Sequence, residues 1–181
     1  MIFQWVDMGI DFELFENRVC VLVLENQDVY SEFMSKLQAS TNGDIGAFAL
    51  YEGEKKLSIN KNIEIVFSPL LLDLNNKRIQ QFLFKELKNL SNEVSYTQKE
   101  MINVQIVNYL DELSRRLPYP IRFNLNLDET LLYRQYDVRI EYDEGCLLEK
   151  LINYIQISSA LCGTKVLFLC NIKAYFTSEQ L

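Results

Sequence analysis

Basic side chains recur along one side of a predicted helix near the middle of the chain. Residues 63–90 read IEIVFSPLLLDLNNKRIQQFLFKELKNL, an apolar strand followed by a helix. At about 100° per residue, one arc of this helix collects apolar side chains: Ile79, Phe82, Leu83, Leu87 and Leu90. The opposite arc collects cations: Lys77, Arg78, Lys85 and Lys88. A row of cations neutralises phosphates without reading bases; the alternative interpretation is an ordinary solvated helix face.

The basic residues stand out because the whole chain is acidic, with a formal net charge of -7 over 181 residues. Residues 1–54 hold ten acids and two bases, residues 55–122 hold seven acids and eleven bases, and residues 123–181 hold eight acids and five bases. The middle region therefore carries +4 between flanks of -8 and -3. This distribution predicts a polyanionic partner that meets one region only.

Paired carboxylates are the second group of residues with possible chemistry: Asp128-Glu129 and Asp143-Glu144. Such pairs can act as acid and base or bind a hard cation. At the start of a helix, however, they more commonly complement the helix dipole. Asn124 and Asn126 would add neutral oxygen ligands next to the first pair, which slightly favours a cation there.

Several enzyme classes lack their residues in this sequence. There is no histidine, and the four cysteines form no C-x-x-C, which argues against a zinc site or an imidazole triad. We expect the cysteines to be buried, reduced thiols. The sequence offers no identifiable base for Ser158-Ser159. An aliphatic strand running into a helix is the frame of a phosphate-binding loop, but the junction at 25–28 reads ENQD, without the required glycines and lysine.

The elements that must position these residues predict an α/β protein. An aliphatic run at 18–25 has the pattern of a strand buried on both faces of a sheet, and so has 165–171. Asn26 or Asp28 is expected to cap the helix after the first run, and a hairpin is expected around Gly53. Three further helices are predicted, with these signals: a cap near Asp73 or Asn75, a capping box from Thr97 to Glu100 with an end near Leu117, and a helix over 144–161 closed by Gly163.

The order of these elements predicts an α/β head formed by residues 1–70 and 140–181, with a helical insertion at 71–139. The helix from Thr97 to Leu117 carries apolar residues outside its main stripe, so it is either buried on two sides or shared with a second subunit. No apolar run is long enough to span a bilayer, and the N-terminus does not resemble a signal peptide. We therefore expect a cytoplasmic protein with no membrane partner. The ending TSEQL leaves barely one helical turn after its N-cap signal, so we expect this end to fray or to be a shortened one.

Three segments carry a resemblance to a known family: RVCVLVLEN, KNIEIVFSPLLLDLNNKRIQQFLFKEL and EGCLLEKLINYIQISSALCGTKVLFLCNIKAYFTSEQL. The chain resembles the accessory spacer-acquisition protein of type II-A CRISPR systems. The resemblance implies a non-catalytic protein with a helical leg and an α/β head, whose largely parallel sheet resembles a degenerate phosphate-loop fold. It also implies a ring-shaped homotetramer, stabilised by calcium, whose basic central hole admits double-stranded DNA by its ends. Such rings work beside the integrase pair and the RNA-guided nuclease when new spacers are captured.

Transferred by position and chemistry, the resemblance assigns DNA binding to Lys55, Lys56 and Lys61 of the hairpin and to Lys77, Arg78, Lys85 and Lys88 of the first leg helix. It assigns calcium to Asn126, Asp128 and Glu129. Members of the family continue beyond the segment that matches TSEQL with a further helix and strand, which puts the completeness of the head in question. Two alternatives stay open: a nucleotide-binding enzyme on a degenerate phosphate-loop scaffold, and a protein–protein scaffold that binds no DNA.

Overall fold

The computed structural model describes residues 1–16, 18–142 and 145–177, in which helices accompany two small sheets. The chain divides into two units. Unit 1 consists of Met1–Asp73 and Glu144–Leu181, and unit 2 of Leu74–Asp143. The protein is thus of the mixed α/β class, as the order of elements predicted.

The main sheet of unit 1 has four antiparallel strands in the order β2-β1-β3-β4. Their bounds are β1 Ile2–Trp5, β2 Ile10–Glu13, β3 Phe48–Glu52 and β4 Lys55–Leu57. The hairpin expected around Gly53 joins β3 to β4, and the glycine takes a φ of 58°, which its missing Cβ permits. The predicted hairpin is thus confirmed. It could be predicted because the residue preferences of a turn depend only on residues that are close in sequence.

The prediction of a largely parallel sheet is wrong. Among the described residues of unit 1, the parallel part is one pair, β5 (Ile63–Val66) with β6 (Val166–Leu169), while the larger sheet is antiparallel. The strand expected at 18–25 is irregular here, and Val19 is 86% exposed. An aliphatic run signals a preference for extended backbone, but a strand also needs a neighbour that offers a matching ladder, and that depends on tertiary context.

Aromatic packing fills the core of unit 1. Helix α1 (Gln27–Thr41) begins as predicted, with the Asn26 side chain accepting hydrogen bonds from the amides of Asp28 and Val29 at 2.8 and 3.2 Å. It brings Phe33 against Trp5 and Phe48, with ring centroids 5.0 and 5.1 Å apart. All three side chains are buried. The core therefore joins α1 to the antiparallel sheet.

A polar cluster joins β5 to helix α6 (Leu147–Ala160). Glu64 of β5 accepts hydrogen bonds from the hydroxyls of Tyr154 and Ser158, the latter at 2.5 Å. Ser158 also lies 2.8 Å from the Thr164 hydroxyl. Tyr154, Ser158 and Thr164 are buried, so these bonds replace the water that a carboxylate would otherwise require. The short helix α2 (Ile59–Asn62) directly precedes β5.

Unit 2 is helical, with α3 over Lys77–Val94, α4 over Tyr96–Ser114 and α5 over Glu129–Gln135. The α3 cap is Asn76, one residue beyond the predicted position. Asn75 instead bonds both backbone groups of Ile140, at 3.0 and 2.8 Å. Helix α4 starts at Tyr96, so Thr97 lies inside it rather than at its cap, and it ends three residues before Leu117. Helices α3 and α4 were thus predicted correctly, whereas their bounds shifted by a few residues.

The Glu64 cluster gives a stability prediction. Replacing Ser158 by Ala removes a donor to a half-buried carboxylate, so we expect the free energy of unfolding to fall by about 1.5–3 kcal/mol. Ser159→Ala is the matched control, because Ser159 is the exposed neighbour on the same helix and should change stability by less than about 0.5 kcal/mol. Urea denaturation followed by circular dichroism measures both. Equal effects of the two substitutions would contradict this role for Ser158.

Candidate nucleic-acid interface

The cations of α3 lie on one side of the helix, as its periodicity predicted. Lys77, Lys85 and Lys88 are exposed and Arg78 is half-buried. Within the described part of the chain, the three lysines form no ion pair. We call these four residues the basic side of α3. Its three lysines therefore keep their charge available to an external anion.

The packed side of α3 differs from the predicted arc. The buried residues are Ile79 and Phe84, whereas Leu90, which was predicted on the apolar arc, is 46% exposed. The Phe84 ring packs against Tyr133 of α5, with centroids 5.6 Å apart. On the helical projection, Phe84 lies next to Lys88, at the border of the arc of cations. An aromatic residue at that border is the sequence signal from which the burial of Phe84 could have been predicted.

Charge is divided unevenly between the two units. Unit 1 contains fifteen acids and eight bases, which gives -7, whereas unit 2 contains ten of each and is neutral. The basic side of α3 thus belongs to unit 2, whose zero net charge causes no net repulsion of a polyanion. Unit 2 is consequently the electrostatically better candidate for binding phosphate groups.

The second predicted group of cations lies in unit 1. Lys55 and Lys56 are exposed on β4, the edge strand, while Lys61 is exposed on α2 rather than in the hairpin where it was expected. Glu52, which pairs with Lys55 across the hairpin, accepts a hydrogen bond from Lys165 before β6 at 2.5 Å. This bond, and to a smaller extent the charge of Lys55, lowers the pKa of Glu52. Lys55 is therefore close to a carboxylate that competes with an external anion.

The residues predicted to hold calcium fall into two places. Asp128 caps α5: its Oδ1 atom accepts hydrogen bonds from the backbone amides of Thr130 and Leu131 at 2.9 and 3.3 Å. Asp128 and Asn126 line a cavity of about 400 Å³, together with three other side chains that carry amides: Asn103, Asn124 and Gln135. Carboxylate and amide oxygens suit a hard cation such as calcium, but five aliphatic residues also line this cavity and Asp128 is the one carboxylate among its lining residues. Within residues 1–16, 18–142 and 145–177, however, no cluster of three or more acidic or cysteine side chains has the geometry to hold a metal.

Glu129 points elsewhere. It is 5% exposed, and its Oε2 atom lies 2.9 Å from Nζ of Lys99 on α4. Burial alone would raise the pKa of Glu129, but a hydrogen bond from Ser91 and the contact with Lys99 more than offset it, so the pKa lies below its ordinary value. The same contact raises the pKa of Lys99. Glu129 is thus an ionised partner of Lys99 and does not face the cavity residues.

The structure does not support the alternative of a phosphate-loop enzyme, because residues 18–25, which would supply the strand before that loop, are irregular. The residues before α1 do not form a strand, and at the junction Asn26 caps the helix with its own side chain.

The expectation of buried cysteines is wrong for Cys20 and Cys146, which are exposed, and right for Cys162. Cys170 is half-buried, and burial raises the pKa of its thiol.

Comparison with known proteins identifies the class. The family model described as CRISPR-associated protein (Cas_Csn2) matches residues 40–181, which is most of the chain. The chain therefore belongs to the Csn2 family of CRISPR-associated proteins, the accessory proteins of type II-A systems. No curated protein matches it. Of the helices in the described residues, none combines the length and apolar character that crossing a membrane requires.

Proposed function

We propose that this Csn2-family protein binds double-stranded DNA without sequence preference, through the basic side of α3. The observation that carries the proposal is that three exposed lysines, which form no ion pair with any described residue, share one side of a helix in a unit of zero net charge. From Lys77 to Lys88 the helix rises about 16 Å, a length over which duplex DNA presents roughly ten phosphate charges. Cations so placed can contact the backbone, and phosphate contacts carry no base sequence.

One chain alone would bind DNA weakly. Four cations neutralise at most about four phosphates, so the logarithm of the binding constant would fall with the logarithm of salt at a slope near -3.6. Physiological salt would remove most of that affinity. Several copies that present the same basic side to one duplex would multiply the contact and slow its release. The proposed function therefore requires an assembly.

Helix α4 offers a surface for such an assembly. No side chain of α4 is buried, although the whole helix lies within the described residues. Its large apolar side chains are exposed by between 39% and 62%: Tyr96, Met101, Ile102, Val104, Ile106, Tyr109 and Leu113. A patch of this kind marks a protein interface. We propose that other copies of the chain cover α4, and that the assembly is the homotetrameric ring that the family resemblance implies.

In this proposal the ring receives linear DNA by its ends and slides along it. The protein would assist the capture of new spacers in CRISPR immunity, beside the integrase pair and the RNA-guided nuclease. It has no catalytic role in this proposal. Calcium is proposed at Asn126 and Asp128, where it would supply a structural link between oxygen donors. Lys55, Lys56 and Lys61 are proposed as additional phosphate contacts in unit 1.

The exposed apolar residues of α4 also favour a second candidate, a protein–protein scaffold that binds no DNA. In that case the lysines of α3 serve only to keep the surface in water. A gel-shift experiment with linear duplex separates the two candidates, since only the first predicts a shift that salt abolishes.

The basic side of α3 is tested by the salt dependence of binding. Replacing Lys77, Arg78, Lys85 and Lys88 together by Gln should weaken binding to linear duplex and make its salt slope shallower by about 3 to 4 per chain. The control is Arg115→Gln with Arg116→Gln, since these exposed arginines already pair with Asp111 and Glu112 at 2.5 and 2.6 Å. Fluorescence anisotropy over a series of salt concentrations gives both slopes. An unchanged slope in the fourfold variant would remove α3 from the interface.

Entry by DNA ends is tested with one sequence in two forms. Linear duplex should be retained through a brief wash at moderate salt, and it should then be lost slowly as it slides off its free ends. Closed circular duplex should not be retained, because it has no end to enter a ring. Blocking both ends of the linear form after loading should prolong its retention. Equal retention of linear and circular forms would exclude threading while leaving simple DNA binding possible.

The role of α4 is tested by the mass of the protein in solution. Val104→Glu with Tyr109→Glu places two charges among exposed apolar side chains, so the assembly should dissociate to smaller species while each chain stays folded. Ser35→Glu with Gln38→Glu adds the same charges on the exposed side of α1 and should leave the mass unchanged. Light scattering after size exclusion, with circular dichroism for folding, measures this. A wild-type monomer would contradict the assembly.

A further inference from the structure

An aliphatic run of unit 1 is left uncovered at residues 18–25, which read RVCVLVLE. Val19, Val21 and Val23 are 86%, 69% and 71% exposed, whereas Leu24 is half-buried and packs against the aromatic core. Side chains that alternate between the outside and the inside are typical of an extended backbone. The three valines thus form an apolar stripe on the outer side of the segment, and exposed apolar surface of this kind marks an interface.

The backbone of the same segment also lacks a neighbour. Among the described residues, the amide and carbonyl groups of residues 18–25 form no hydrogen bond with other backbone groups. Free amides and carbonyls along an extended run can accept another strand, and β-branched residues favour that conformation. Residues 18–25 therefore have the side-chain pattern and the free hydrogen-bonding groups of a strand that has no adjacent strand.

The residues of the segment match a second copy of itself. Arg18 begins the run and Glu25 ends it, with no other charge between them. In an antiparallel pair, Arg18 of each copy lies at the end of the ladder where Glu25 of the other lies, whereas a parallel pair would set like charges side by side. A two-fold axis at Val21 places Val21 opposite its own copy and Val19 opposite Val23. Moving the axis by one residue would instead set Val19 opposite Glu25.

We propose that residues 18–25 of two copies pair as an antiparallel ladder about a two-fold axis at Val21, and that the segment becomes a strand only in that pair. The ladder satisfies the free backbone groups, and the exposed valines of the two copies become cross-strand neighbours, which shields part of their apolar surface. This contact lies in unit 1 and uses neither α4 nor DNA, so it does not rest on the proposed function.

Disulfide trapping tests the pair in the full chain, after Cys20→Ser and Cys146→Ser have removed the exposed thiols. With oxidised glutathione, Val21→Cys should become mostly covalent dimer, because opposite residues of an antiparallel ladder have Cα atoms about 4.5–5.5 Å apart, within reach of a disulfide. Val19→Cys is the matched control. Its two thiols would lie about 13 Å apart along the ladder, so it should give at least about tenfold less dimer although Val19 is the more exposed residue. Val19→Cys with Val23→Cys should restore the dimer on a non-reducing gel.

The variant Val104→Glu with Tyr109→Glu separates this pair from assembly through α4, since Val21→Cys should still cross-link in it. Hydrogen exchange followed by mass spectrometry gives a second measurement on the wild-type chain. The amides of residues 18–25 should exchange more slowly as the protein concentration rises, because only a pair of chains protects them.

The proposal is overturned if Val21→Cys stays monomeric, or if Val19→Cys cross-links as readily, which would indicate random collision. Loss of the cross-link in the α4 variant would overturn it as well, because the contact would then depend on α4. Protection of residues 18–25 that is equal at every protein concentration would show that the segment pairs within its own chain and would exclude the second copy.

Discussion

A charged side chain that leaves water needs a partner of opposite charge, and this constraint organises the helical unit. Lys99 turns inward because Glu129 receives it, and the pair fixes α5 against α3 and α4. Lys85 and Lys88 stay in water, while Ile79 and Phe84 of the same helix are buried. The same rule thus produces both the interior contact and the exposed basic side.

The proposed function follows from where charge is absent as much as from where it is present. Unit 1 holds the whole net charge of -7, so an approaching polyanion is repelled there and meets no net repulsion at unit 2. A helix is a rigid support, so its cations keep a fixed spacing along a duplex. The exposed apolar residues of α4 supply the means of assembly in the same unit. Binding and assembly are thereby proposed for neighbouring helices.

Unit 1 depends on two different kinds of contact. Aromatic side chains such as Trp5 and Phe33 join α1 to the antiparallel sheet, whereas Glu64 and Ser158 join α6 to the parallel pair. Apolar packing tolerates many arrangements, but a half-buried carboxylate favours the one that satisfies its oxygens. The polar cluster therefore specifies the position of α6 in a way that apolar contacts would not.

Much of the fold could be predicted because its signals are local. The cap at Asn26, the turn at Gly53 and the arc of cations on α3 depend on residues within one or two turns of each other, and the structure has all three. The resemblance to the family depended on diffuse similarity along the sequence, and the match of the family model to residues 40–181 confirmed it.

Tertiary structure decided what depends on distant partners. Whether the run at 18–25 becomes a strand depends on a neighbouring ladder, so its composition misled. Glu129 and Asn126 are close in sequence, and the sequence suggests that they share one cation site. In the structure, however, Glu129 forms an ion pair with Lys99, which lies thirty residues earlier in the chain. Burying a carboxylate costs free energy that only a specific cation offsets, and no local pattern in the sequence states which cation that will be.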